Sequence, residues 1–201
     1  MGRTNRAAAV ALACAGALAI LAPDAAAQRR AREADAVFEA NNALAACSRA
    51  AGSSDASDRA VETCAEALSY RLNRENRIVT LINSGVVQLR RGDYAAAVAF
   101  YDEALRLDPD HAVALFNRGA ALTHAQRYGD AVATLTRALG LGVSEPHKAY
   151  YYRGEARQAL GDVNGAIEDF QTALTIAPDW NAARDALAEL QDPAPAQENS
   201  R

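Results

Sequence analysis

The sequence repeats one pattern three times, as NSGVVQLRRGDYAAAVAFYDEAL at 83–105, NRGAALTHAQRYGDAVATLTRAL at 117–139 and YRGEARQALGDVNGAIEDFQTAL at 152–174. The third residue of each stretch is glycine, an alanine follows twelve residues after it, and an Ala-Leu pair closes the stretch. Apolar residues recur at helical spacing before and after a central turn, such as the turn at 91–94. Each unit is therefore predicted to form two antiparallel helices.

The glycine of each unit predicts a close contact between its two helices. A glycine inside a helix costs stability, so the missing side chain is expected to serve packing. We expect Gly85 to lie opposite Ala97, with the two backbones nearly in contact and the large Tyr101 side chain in the adjoining space. The same arrangement is expected for Gly119 with Ala131.

Composition supports an all-α fold. Of the 201 residues, 50% are hydrophobic but only 6% are aromatic. β-Sandwiches and barrels need β-branched and aromatic residues to fill their pleated faces, whereas Ala, Leu, Arg and Glu favour helices. The formal charge of −4 provides no basic surface for phosphate backbones, so nucleic acid is not an expected partner.

The repeating pattern resembles the tetratricopeptide repeat (TPR), which has a small residue at position 8, alanine at 20 and 27, a large residue at 24 and proline at 32. Units at 78–111, 112–145 and 147–180 match this pattern, with Pro146 as a one-residue insertion and Val143 replacing one proline. In place of the usual tryptophan at position 4, the units carry Leu81, Leu115 and Tyr150. The resemblance implies a right-handed α-solenoid of stacked antiparallel helix pairs, the TPR superhelix.

Weaker helical patterns flank the three units. Residues 28–77 predict an N-terminal helical pair that forms a divergent repeat, with its first helix at 34–51. The small residues of its second helix fall at family positions 20, 24 and 27, as Ala60, Cys64 and Ala67. Residues 181–191 predict a capping helix over the last apolar face, and 192–201 predict a disordered tail.

The N-terminus has the pattern of a secretory signal peptide, residues 1–27. A basic start precedes an apolar run at 7–22, and Ala25 and Ala27 provide the small side chains that signal peptidase requires. Cleavage after Ala27 predicts a periplasmic or secreted bacterial protein that meets the membrane only through this peptide. An uncleaved anchor and a lipoprotein modified at Cys14 are the alternatives, although the apolar run is shorter than the ~20 residues that span a bilayer.

Two cysteines would remain after cleavage, Cys47 and Cys64. In an oxidising compartment this pair predicts a disulfide, because the repeat register places both at similar heights in an antiparallel pair, near the ~5.5 Å Cα separation that a disulfide requires. Closing this loop would stabilise the pair by roughly 3 kcal/mol. The alternative is that both are small buried apolar residues that never meet. No metal site is expected from two thiols without a nearby histidine.

Enzymatic chemistry is not predicted. His111, His124 and His147 fall at linkers or a helix end, without the spacing of metal ligands or of a nucleophile and its base, and are expected to be exposed. Glu168 and Asp169 are expected to be solvated on an outer helix face. We therefore expect no catalytic residue, no cofactor and no small-molecule substrate.

The resemblance implies a concave groove, lined by the first helices, that suits an extended peptide or a partner helix. Family positions 2, 5, 9 and 12, with position 6 of the middle unit, are Val79, Ile82, Val86, Leu89, Val113, Phe116, Asn117, Ala120, Thr123, Lys148, Tyr151, Glu155 and Gln158. These residues grade from apolar to polar along the chain. Phe116 and Tyr151 are expected to be aromatic anchors for a peptide. Three alternatives stay open. The N-terminal helices cover the apolar end, the tyrosines at 150–152 are packing residues with one ring exposed, or Phe116 and Tyr151 pack in the core.

A chaperone peptide bound by its C-terminal carboxylate, a familiar ligand of the family, is not expected. The chaperone-binding members of the family hold a C-terminal carboxylate with Lys, Arg and Asn at defined positions, three of which are Ile82, Val86 and Tyr152 in this chain. Only Asn117 and Lys148 match. The carboxylate-binding set is therefore incomplete.

The sequence thus predicts a protein-interaction adaptor or scaffold that binds an unidentified protein in its groove. The alternative is a structural or assembly subunit of a cell-envelope complex that uses its convex face or its ends, and oligomer formation is left open. Substitutions in the groove distinguish the two, because they would abolish partner capture in the first case and leave assembly intact in the second.

Overall fold

The computed structural model describes residues 24–54 and 56–191. The chain divides into two units between Ala36 and Val37. Most of the predicted signal segment and the predicted tail at 192–201 lie outside the described residues. None of the helices within the described ranges is both long and apolar enough to cross a bilayer.

Nine α-helices and no strand occur in the described residues. They are α1 (Ala25–Gly52), α2 (Asp58–Ser69), α3 (Arg74–Arg91), α4 (Tyr94–Leu107), α5 (Ala112–His124), α6 (Tyr128–Gly140), α7 (Pro146–Ala159), α8 (Val163–Ile176) and α9 (Asn181–Gln191). The three predicted repeats correspond to the pairs α3–α4, α5–α6 and α7–α8. The predicted capping helix is α9, which packs on α8 and buries Ala183.

Side-chain caps and one recurring turn set the helix ends. Asn73, Asp93 and Asp162 each accept a hydrogen bond from a backbone amide in the first turn of α3, α4 and α8. Between the helices of the first and third repeats, Gly92 and Gly161 adopt left-handed backbone angles. The middle repeat places Gln126 at the same position with a φ of 58°, a conformation that side chains other than glycine adopt at a cost.

The glycine inside each repeat lies against the large residue at position 24, as predicted for the space beside the glycine. A Cβ atom at Gly119 would lie 2.5 Å from Leu135 Cγ, and one at Gly154 would lie 2.7 Å from Phe170 Cε1. The ring of Tyr101 fills the same space at Gly85. The large side chain occupies the volume that a Cβ would take, so each glycine makes room for a ring or a leucine. The close approach of each glycine to its alanine stays a prediction.

Tyr101 buries a polar group in this packing. Its side chain is fully buried, and its hydroxyl oxygen has no hydrogen-bond partner among the residues that the structure describes. Burial also raises the pKa of Tyr101 well above its ordinary value. The third repeat has Phe170 at the same position, which fills the site without a polar atom.

Replacing Tyr101 by phenylalanine should therefore stabilise the protein. Removing a buried hydroxyl that lacks a partner should raise the free energy of unfolding by about 1 kcal/mol and the melting temperature by about 2–4 °C. Calorimetry measures this, with Tyr128→Phe at a half-buried position as a control expected to stay within about 0.5 kcal/mol. A lower melting temperature for Tyr101→Phe would mean that the hydroxyl is satisfied in solution.

The N-terminal pair packs on the first repeat through small side chains. Three residues of α1, three of α2 and one of α3 form one buried cluster: Ala43, Cys47, Ala51, Ala60, Cys64, Ala67 and Val87. A disulfide joins Cys47 to Cys64, with their Cα atoms 4.6 Å apart. The first helix of this pair is longer than the expected 34–51, since α1 begins at Ala25.

Arginines at position 7 of the second and third repeats connect neighbouring units. Arg118 donates to Asp102 Oδ1 of the preceding repeat at 2.6 Å and to Thr134 Oγ1 of its own repeat at 2.8 Å. Arg153 likewise donates to Thr136 Oγ1 of the preceding repeat at 3.2 Å. These bonds tie the second repeat to the first and the third repeat to the second.

Asp169 does not lie on a solvated face as expected, because it is the centre of a buried ion cluster. Its side chain is only 3% exposed. Arg153 donates to both of its carboxylate oxygens, at 2.6 and 2.9 Å, and Arg157 Nη1 donates to Oδ2 at 3.0 Å. The hydrogen bonds to Asp169 raise the pKa of Arg153 despite its burial. Helix α8 turns this carboxylate toward α7, where the two arginines neutralise it.

Candidate peptide-binding surface

The first helices of the three repeats form one continuous surface. Each packs on the second helix of its own repeat, and α5 also contacts both α3 and α7 directly. This closer approach of the first helices makes their side the concave one, as expected for a solenoid. The predicted groove residues therefore belong to one surface, but they differ in how far the packing leaves them accessible.

Val79 and Val113 are the accessible apolar residues of this surface, at 43% and 42% exposure. Ile82 and Ala120 are buried, at 7% and 3% exposure, so their predicted role as groove-lining residues is wrong. Thr123, at 8% exposure, leaves only a small part of its surface accessible. Ile82 belongs to the buried core cluster that the repeats share. Intermediate exposure is found for Val86, Leu89, Phe116, Asn117, Lys148, Tyr151, Glu155 and Gln158.

The N-terminal pair covers the apolar end in part. Val86 packs against the cluster around the disulfide, and Asn83 Nδ2 donates to Ser48 Oγ at 3.1 Å. Arg90 Nη1 donates to the carbonyl oxygen of Ala51 at 2.5 Å. Val79 lies outside these contacts and stays exposed, so the open apolar surface is shorter than the sequence suggested.

Phe116 and Tyr151 belong to one aromatic cluster, not to two separate anchors. The Tyr152 ring centroid lies 6.2 Å from that of Phe116 and 5.6 Å from that of Tyr151. Tyr151 also contacts Phe170 at 5.7 Å and Trp180 at 4.8 Å. Replacing either ring would therefore disturb packing as well as the surface. The run of tyrosines at 150–152 and the single tryptophan were the sequence signals for this cluster.

All three histidines have structural contacts, and His111 and His147 are half-buried, contrary to the expectation of exposure, which His124 confirms. His111 is the N-cap of α5, and its Nδ1 accepts from the Ala114 amide at 3.3 Å. His124 is exposed but stacks on Tyr94, with ring centroids 5.3 Å apart. His147 meets Trp180 edge-on at 5.1 Å. Within the described residues, no group of three or more His, Cys, Asp or Glu could hold a metal ion.

Glu155 lies half-buried at the junction of the second and third repeats. Tyr151 Oη donates to its Oε1 at 2.9 Å. Burial raises the pKa of Glu155 above its ordinary value, while this hydrogen bond and the nearby His124 oppose the increase. Burial and the adjacent carboxylate raise the pKa of Tyr151 as well.

A surface cleft of about 400 Å³ opens beside this carboxylate. It is lined by Thr123, His124, Gln126, Tyr128, Glu155, Gln158 and Ala159. Three predicted groove residues, Thr123, Glu155 and Gln158, thus meet in one place. Lys148 lies elsewhere on α7 and forms an ion pair with Glu145 at 2.6 Å.

Family models of the tetratricopeptide repeat match residues 83–146 and 147–180. Residues 83–180 are tetratricopeptide repeats. The predicted family resemblance is confirmed for this segment. The N-terminal pair and α9 lie outside the matched residues.

Curated proteins of other organisms are similar to part of the chain. Serine/threonine-protein phosphatase 5 of Rattus norvegicus is 34% identical over 92 residues, which are 46% of this chain but only 18% of the phosphatase. RNA polymerase II-associated protein 3 of Mus musculus is 29% identical over 125 residues, which are 62% of this chain and 19% of that protein. The chain thus spans less than a fifth of each of these relatives.

Solved tetratricopeptide structures confirm the α-solenoid. The second TPR domain of human RPAP3, solved in complex with the HSP70 peptide SGPTIEEVD, has 28% identity and a TM-score of 0.55, over 59% of this chain and 98% of that one. MamA 41-end from Desulfovibrio magneticus RS-1 has 25% identity and a TM-score of 0.65, over 78% of this chain and 84% of that one.

Proposed function

We propose that this protein is an adaptor that binds a segment of another protein along the surface of α3, α5 and α7. The observation that carries the proposal is the accessible part of this surface, where exposed Val79 and Val113 lie on the same side as the aromatic cluster and the Glu155 cleft. The RPAP3 domain supports the proposal, because this similar domain of stacked helix pairs was solved with a peptide bound. The proposal assigns the protein no chemical step of its own.

The ligand proposed here differs from the chaperone peptide of that relative. Its peptide SGPTIEEVD is acidic and ends in a carboxylate. In this chain, Ile82 is buried, Val86 packs on the N-terminal pair, and Lys148 is already paired with Glu145. Of the positions that would hold a C-terminal carboxylate, two therefore carry apolar residues, and the one lysine is paired with a glutamate of this chain.

The alternative function is an assembly subunit that uses surfaces outside the groove. Exposed apolar side chains away from the first-helix surface favour this alternative, among them Leu160 at 56% and Val163 at 42% exposure. Both lie around the turn between α7 and α8. They provide a matched comparison for the groove valines.

We expect the double variant Val79→Glu/Val113→Glu to lose its partner while the fold is retained, because both side chains are exposed. The test is affinity purification from the envelope fraction, followed by titration of the purified partner. A loss of at least tenfold in affinity, equivalent to ~1.4 kcal/mol, supports the adaptor function. The control is Leu160→Glu/Val163→Glu. Loss of the partner in the control alone would support the assembly subunit instead.

We further propose that the protein is exported with cleavage after Ala27, on the basis of the basic start, the apolar run and the small residues at the cut. A disulfide between Cys47 and Cys64 suits an oxidising compartment. Intact mass spectrometry of the protein from its native host should find a chain that begins at Gln28. A chain that retains 1–27 and sediments with membranes would contradict export as a soluble protein.

A further inference from the structure

We propose that the cleft at the junction of α5 and α7 receives a cationic side chain, arginine or lysine, of the bound peptide, with Glu155 as its counter-ion. This inference rests on the proposed adaptor function and specifies the chemistry of its ligand. It predicts that the partner segment is basic at one position, whereas the HSP70 peptide bound to the RPAP3 domain is acidic.

The first argument is the incomplete pairing of the carboxylate. Tyr151 occupies Oε1, and Glu155 forms no ion pair with any arginine or lysine in the described part of the chain. Burying a carboxylate partly and leaving it without a cation costs free energy, which is why burial raises its pKa. A cation from a ligand would stabilise the charged carboxylate and offset that cost.

The second argument is that the surrounding cations are already engaged. On α7, Lys148 pairs with Glu145 at 2.6 Å and Arg157 pairs with Asp169 at 3.0 Å. Just before α6, Arg127 pairs with Asp130 at 2.6 Å. From α5, His124 is the titratable group near Glu155, and it is stacked on Tyr94. None of these three cations is held in a position to neutralise Glu155.

The third argument is the chemistry of the walls. Tyr128 provides an aromatic ring, and cations bind favourably over aromatic faces. Thr123 and Gln158 contribute side-chain oxygens, which accept hydrogen bonds from an ammonium or a guanidinium. A carboxylate ligand would instead meet Glu155 as a like charge. The cleft thus combines one counter-ion with aromatic and oxygen-bearing walls.

A random nonapeptide display library, selected on the full chain without its signal segment, tests the inference. Wild-type protein should enrich arginine or lysine at one peptide position. Glu155→Gln should lose that enrichment while keeping the preferences at other positions, because glutamine can still accept the Tyr151 hydrogen bond. Glu168→Gln, an exposed site on α8, is the matched control and should select the same peptides as wild type.

A double-mutant cycle on the best selected peptide identifies the contact. Glu155→Gln, and replacement of the peptide cation by methionine, should each weaken binding at least tenfold, and the two losses should not add. Additive losses, or selected peptides without a basic position, would overturn the cation site and leave the adaptor function standing. Failure of wild type to enrich any peptide above Val79→Glu/Val113→Glu would overturn both proposals.

Discussion

Replacing Asp169 by asparagine should lower the free energy of unfolding by about 3–5 kcal/mol, because it leaves two partly buried arginines without their shared counter-ion. Asp169 accepts hydrogen bonds from both Arg153 and Arg157, and its side chain is 3% exposed. Asparagine keeps the shape of aspartate, but it has only one side-chain oxygen to accept hydrogen bonds. It also has no negative charge to balance the two arginines. Thermal and urea unfolding should both report the loss.

The matched control for this variant is Asp102→Asn. Asp102 pairs with Arg118 at the same distance of 2.6 Å, but its side chain is 52% exposed. Exposed ion pairs contribute about 0–1 kcal/mol, so the control should unfold close to wild type. Equal losses for the two variants would show that burial does not set the strength of these pairs. A triple variant with apolar residues at 153, 157 and 169 should regain much of the stability lost in Asp169→Asn.

Replacing Gly119 by leucine should also destabilise strongly, by about 3 kcal/mol or more, since overpacking a filled site forces side chains and backbone to move. Even the Cβ atom alone would lie 2.5 Å from Leu135 Cγ and 2.7 Å from Leu135 Cδ2. Gly129→Leu is the matched comparison, because a Cβ there meets nothing within 4 Å. The difference in melting temperature between the two variants measures the effect.

A milder pair of variants tests the same site if Gly119→Leu fails to fold. Gly119→Ala should destabilise, whereas Gly129→Ala should be neutral or slightly stabilising, because alanine favours the helix where there is room. Combining Gly119→Ala with Leu135→Ala should cost less than the sum of the single changes, since a smaller residue 135 leaves space for the added methyl group. Strict additivity would place the glycine against another neighbour.

The repeat register could be predicted because the spacing of Gly85, Gly119 and Gly154 reports a periodic structure. Once three units agreed in phase, the helix pairs and the capping helix followed from helical periodicity and turn residues. Which atoms fill the space at each glycine could not be derived in the same way. Spacing along the chain shows which residues share a face, but it does not show how far a ring such as that of Tyr101 reaches across the pair.

The candidate site was only partly predictable for a related reason. Position 5 of each repeat indicated Phe116 and Tyr151, but their joining through Tyr152 depends on the distance between neighbouring repeats. The burial of Asp169 depends on how closely α8 packs on α7 within the third repeat. One signal was present in the sequence: an arginine precedes the glycine in the second and third repeats, where the first has Ser84. An arginine at a helix-facing position needs a carboxylate or hydroxyl partner.

The two ends of this stack are closed by different means. At one end, the covalent bond between Cys47 and Cys64 limits how far α1 and α2 can separate. At the other end, α9 buries only Ala183 and carries no such bond. Repeats that contact only their neighbours open from an end inward. Amide protons of α9 should therefore exchange with solvent before those of α2, and reduction of the protein should remove this difference by letting the first pair fray as well.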